Sequence, residues 1–110
     1  MTEKSKKYVS DVLMAIDLIR QFTIDISDFE SYENDLKTQS AVERQLVIIG
    51  EALNKLRQTE SGITIENDKQ IIGFRNRLVH AYDSIDNSIV WAIINLHLEK
   101  LKVEIEGLED

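Results

Sequence analysis

Proline is absent from all 110 residues, and glycine occurs only four times. A chain with so few backbone breakers stops its helices only through capping and turn chemistry, so long helices are its default. The apolar residues agree: they recur three and four positions apart, and no alternating strand pattern is visible. A first helix is expected from about Ser5 to Phe22, with Tyr8, Val12, Ala15, Ile16 and Ile19 on its inner side. Ser27 and Glu30 have the spacing of a capping box and open a short second helix carrying Phe29 and Tyr32. A long third helix is expected from about Asp35 to Arg57, with a stripe of Val42, Leu46, Ile49, Leu53 and Leu56.

Ser61-Gly62 breaks the pattern. Asn67 or Asp68 caps a fourth helix that carries Ile71, Ile72, Phe74, Leu78 and Val79 and ends near Tyr82. Asp83 to Ser88 reads as a turn with Asp86 as a cap. The last helix is expected from about Asn87 to Gly107, with Val90, Ile94, Leu98, Leu101 and Ile105 inward. Four longer helices and one short one, joined by short loops, predict an all-α, up-and-down four- or five-helix bundle, with residues 1–110 as one domain.

Composition limits the chemistry. Apolar residues at 43% are enough for one core, and charged residues at 30% keep its surface solvated, which argues against disorder. The absence of cysteine excludes disulfides, thiol chemistry and thiolate metal sites, and fits a reducing compartment. The polar start Met1 to Lys7, followed by Asp11 and Asp17, does not read as a signal peptide. No apolar run approaches the roughly 20 residues of a membrane helix. A soluble, cytoplasmic protein with no membrane contact is expected.

Net charge is −7, unevenly spread. Residues 21–40 carry five acids against one base, and residues 83–110 seven against two. Residues 61–82 reverse the balance with Lys69, Arg75 and Arg77 against Glu66 and Asp68. The overall field therefore repels nucleic acid, and RNA binding would need a local site or a partner.

That positive stretch contains Phe74-Arg75-Asn76-Arg77-Leu78-Val79-His80-Ala81-Tyr82. On a helix Arg75 and Tyr82 fall nearly on one line, as do Asn76 and His80, whereas Arg75 and His80 lie about 140° apart. They converge only if the helix ends near His80 or a second copy contributes, which points to a dimer with a composite site. A purely structural reading is also open: Arg75 and Arg77 as solvated charges, His80 against the helix C-terminus and Tyr82 as half-buried packing.

The run closely resembles the Arg-x4-His-x-Tyr motif of HepT-like toxins in the HEPN superfamily. Arg75 matches the motif arginine, His80 the histidine, Tyr82 the tyrosine and Asn76 the polar residue that follows the arginine. Glu43-Arg44 with Ile49-Gly50-Glu51-Ala52 is similar to the family's third-helix pattern, and Val90-Trp91 to the start of its last helix. The likeness covers most of the chain after about residue 35. Ala81 departs from the glycine that relatives often have there, but remains small.

The resemblance implies a HEPN-type bundle and endoribonuclease activity that needs neither metal nor cofactor, with Arg75 and His80 catalytic and Asn76 and Arg77 supporting. The residue types suit that chemistry. A free imidazole titrates at about pH 6.5 and can move protons at neutral pH. A guanidinium can hold a phosphate by two hydrogen bonds and stabilise its developing charge. The implied partners are an RNA substrate, a second copy of the chain and a minimal nucleotidyltransferase antitoxin, with a larger hetero-oligomer open. In relatives that antitoxin transfers AMP to the motif tyrosine, here Tyr82.

Other features read as structural. His97 falls with Ile94, Leu98 and Leu101 and is expected as a packed or interface histidine. Two histidines 17 apart make a poor zinc site. Glu51 either pairs with Arg75 or Arg77 across the bundle or faces solvent. Gly50 and Gly73 are expected to permit close helix approach. Trp91 reads as packing, and Asp83 and Asp86 as turn and cap residues. The rival function is a non-catalytic helical module that binds or regulates a nucleotidyltransferase, which the acidic surface favours.

Overall fold

The computed structural model describes residues 1–109. Helix α1 runs Glu3–Thr23, and the Thr2 side chain caps it by accepting from the Ser5 amide at 3.0 Å. Val12, Ala15, Ile16 and Ile19 are buried as expected, but Val9 rather than Tyr8 completes the stripe. Helix α2 spans Phe29–Glu33 and corrects the capping-box expectation. Asp28, not Ser27, is the cap, and it accepts from the Ser31 amide at 2.8 Å. A carboxylate there satisfies the free amide and also meets the positive end of the helix.

Helix α3 (Leu36–Thr59) starts where Asp35 accepts from the Thr38 amide at 3.0 Å. Val42, Leu46, Ile49, Leu53 and Leu56 are all buried. Gln39 donates to the carbonyls of Tyr32 and Glu33, both at 2.9 Å, and so ties α2 to α3. Helix α4 covers Asp68–His80, ending two residues before the expected position. Asn67 occupies its cap position in a left-handed conformation, φ 65°, and makes no side-chain capping bond. After His80 the backbone of Ala81 leaves helical values (φ −138°), and a 3-10 turn follows over Tyr82–Ser84.

The last helical stretch is interrupted. Helix α5 (Asn87–Ala92), capped by Asp86, passes into a π-helical turn over Ile93–His97 before α6 (Leu98–Glu106). Val90 and Leu98 are both buried, yet eight residues along an α-helix would set them about 80° apart. The wider π turn takes up that offset. Leu101 and Ile105 are buried too, while Ile94 is half-buried. His97 sits at the end of the π turn and is exposed, so of the packed and interface alternatives expected for it the packed one does not hold.

Helix α1 packs along α3 and α6, α4 packs on α3, and α2 bridges α3 and α5. Tyr32 is fully buried and its ring tilts against Trp91, centroids 5.5 Å apart. Among the described residues its hydroxyl has no hydrogen-bond partner. Burial, then the nearby Glu43 and Asp35 carboxylates, push that phenol far above its ordinary range. The Glu43 carboxyl is itself raised by burial. Each fully buried Ile or Leu of the core contributes roughly 1.5–3 kcal/mol. Among the described residues no helix is long and apolar enough to cross a membrane.

Candidate active site

Gly50 is the residue that brings the two central helices together at the site. It is buried in α3, and a methyl group added there would collide with the Arg75 side chain, 2.8 Å from Cγ. Only a residue without Cβ lets the stem of Arg75 lie flat on α3. Gly73 does not share this role: a Cβ there would meet nothing within 4 Å. The expected close approach at Gly73 is thus corrected, and the one at Gly50 is found.

Seated this way, Arg75 is held from two sides. One terminal nitrogen donates to Glu51 Oε1 at 2.9 Å, and the other donates to Asn76 Oδ1 at 2.8 Å. Of the two partners the sequence left open for Glu51, Arg75 is the one it takes. About a quarter of the Arg75 side chain stays exposed; its Nε is buried with no acceptor among the described residues, and each terminal nitrogen has a second N–H beyond the bond it makes. A cation held but not fully satisfied can still receive an anionic ligand from the open side.

That open side is a cleft of about 300 Å³ between α3 and α4. Glu51, Asn54 and Lys55 line one wall, and Ile72, Arg75 and Asn76 the other, with Gly50 as its floor. Each wall uses i, i+3, i+4 spacing, the set that shares one helix face. Asn54 and Lys55 went unnoticed in the sequence. Their signal was their three- and four-residue offset from Glu51.

The other motif residues lie outside the cleft. Arg77 is exposed, with its guanidinium 5.9 Å from the Phe74 ring centroid. It also contributes, as the smallest of several causes, to holding the Asp86 carboxyl low; the Ser88 hydroxyl and amide do most of that. His80 is the exposed last residue of α4, one turn beyond Asn76, and does not line the cleft. Because the helix ends there, Tyr82 leaves the line of Arg75 and sits on the 3-10 turn, 74% exposed. One chain therefore groups Arg75 with Asn76 and Glu51, and presents His80 and Tyr82 separately at the end of the same helix.

A second, mostly apolar groove of about 310 Å³ runs between α4 and the α5–α6 stretch, with Phe74, Ile89, Ile93 and His97 along it.

Known proteins place these residues in a family. The sequence profile of the family described as ribonuclease HepT-like matches residues 12–108. A Thermococcus cleftensis protein named "Probable ribonuclease HepT" is 35% identical, covering 98% of each chain. A Methanocaldococcus jannaschii protein named as a candidate RNase is 33% identical over 92% of this chain and 93% of its own. No solved structure matches significantly. With the helix order and nearly the full length accounted for, this chain belongs to the ribonuclease HepT-like family.

Proposed function

We propose that the chain is a metal-independent endoribonuclease in which Arg75 holds the scissile phosphate and His80 moves the proton. The observation that carries this reading is the seat of Arg75: a guanidinium laid on Gly50, steered by Glu51 and Asn76, with a second N–H on each terminal nitrogen that neither bond uses. The nucleophile is the RNA's own 2′-hydroxyl. An imidazole removes its proton, the 2′-oxygen bonds to phosphorus, and the bond to the 5′-oxygen breaks as that oxygen gains a proton. The product is a 2′,3′-cyclic phosphate and a free 5′-hydroxyl. Arg75 neutralises the charge that gathers on the non-bridging oxygens.

His80 is not among the residues that line the Arg75 cleft of one protomer, so the reading includes a homodimer in which both protomers' Arg75 and His80 line one composite cleft. Arg77 supports the site by adding positive charge. Tyr82, exposed and beside His80, is the acceptor for AMP from a minimal nucleotidyltransferase antitoxin. The added phosphate would place a fixed anion next to the catalytic groups and compete with RNA.

The test is incubation of the purified, unmodified chain with matched RNA and DNA oligonucleotides in chelator. Cleavage of RNA alone, leaving 2′,3′-cyclic ends, is expected. No RNA cleavage would favour the non-catalytic nucleotidyltransferase-binding module, which the net charge of −7 supports. AMP on Tyr82 is checked by mass spectrometry of protein produced with its antitoxin.

A further inference from the structure

We infer that Lys55 and Asn54 form a second phosphate-binding position that holds the RNA phosphate next to the scissile one. This rests on the ribonuclease reading above and extends its site onto α3. Lys55 lines the same cleft as Arg75. Glu51, the acid in that cleft, is already engaged by Arg75 at 2.9 Å. Among the described residues Lys55 makes no ion pair; its ammonium lies 5.9 Å from the ring centroid of Tyr8 on α1, a weak hold from which the long, exposed side chain can swing to a ligand in the cleft. The cleft therefore has one cation steered by its acid and a second that no acid of the described residues engages. Asn54 stands one position before Lys55 on the same wall and offers an amide N–H donor. A phosphodiester presents two non-bridging oxygens that share one negative charge, which one ammonium and one neutral amide donor complement.

The rest of the molecule sharpens the argument. With seven excess negative charges the chain attracts RNA poorly over most of its surface, so each cation facing the strand carries a large share of the attraction. Arg75 by itself fixes one phosphate but no direction along the strand. A second point of contact on α3 sets the polarity in which the strand crosses the site.

The experiment uses the full chain and a 2′-O-methyl oligoribonucleotide, which keeps the phosphates but blocks the nucleophile. Kd is measured by fluorescence anisotropy across a salt series. Lys55→Ala is expected to weaken binding about fivefold at low salt and to flatten the log Kd against log salt slope by about 0.7, the value for one phosphate on a single strand. Lys55→Arg restores both. Asn54→Ala weakens binding without changing the slope. Both side chains are exposed, and circular dichroism confirms that the variants fold. An unchanged Kd and slope in Lys55→Ala, or no binding by the wild type, overturns the inference. Lys55-dependent binding without cleavage of ordinary RNA would sink the ribonuclease reading and leave the second position standing. Normal cleavage with the same KM in Lys55→Ala would do the reverse.

Discussion

Helix α3 has two working sides. One buries Val42, Leu46, Ile49, Leu53 and Leu56 in the core. The other presents Glu51, Asn54 and Lys55 to a cleft shared with α4. The first is held by volume and apolar area, spread over many side chains. The second is held by one missing Cβ and two hydrogen bonds on a single guanidinium. The core side should therefore respond to truncation in proportion to what is removed, and the cleft side to small changes that leave the fold standing.

The largest expected effect lies on the core side. Leu53 is 1% exposed, and Leu53→Ala should cost about 2–5 kcal/mol in urea unfolding. A loss under 1 kcal/mol would mean that the core is less filled than its burial indicates. On the cleft side, Gly50→Ala should cost about 1–3 kcal/mol, because α4 must move off α3 to make room. It should also lower RNA cleavage more than its stability loss explains. Unchanged activity in a folded Gly50→Ala protein would separate the seat of Arg75 from its function.

The stripes of α1 and α3 were legible in the sequence because helical periodicity is repeated over five or six turns. The α2 cap was not, because Ser27 and Asp28 are both good caps and sit side by side. The π turn was hidden since Val90, Ile94 and Leu98 read acceptably at α-helical spacing. Gly50 and Gly73 look equivalent as letters, and only the neighbouring helix tells them apart. For the site, Arg75, Asn76 and Glu51 could be named but not joined, because the choice of partner for Glu51 depends on the rotation of α4 about α3. That Tyr82 leaves the line of Arg75 follows from where α4 ends, a boundary that Ala81 does not announce.

Smaller effects test the ends of the helices against both sides. Thr38 donates its hydroxyl and amide to Asp35, and these bonds hold its carboxyl below the usual carboxylate range. A depressed folded-state value means the stabilisation is present above the unfolded value, about pH 3.9, and is lost as pH falls through the folded one. Asp35→Ala should lower Tm by a few degrees at pH 7, and the gap to wild type should close toward pH 2. A gap independent of pH would remove the charge from the explanation. The mildest substitution is Gly73→Ala, which enters open space inside a helix and should stabilise by about 0.5–1 kcal/mol, opposite in sign to Gly50→Ala.

The most direct measurement is the rate of RNA cleavage in chelator by the wild type, Arg75→Ala and His80→Ala, each shown to be folded. Loss of at least about 100-fold in both variants is predicted, since each removes a group acting on the reacting phosphate or its proton. Either variant cutting RNA at the wild-type rate would contradict the account.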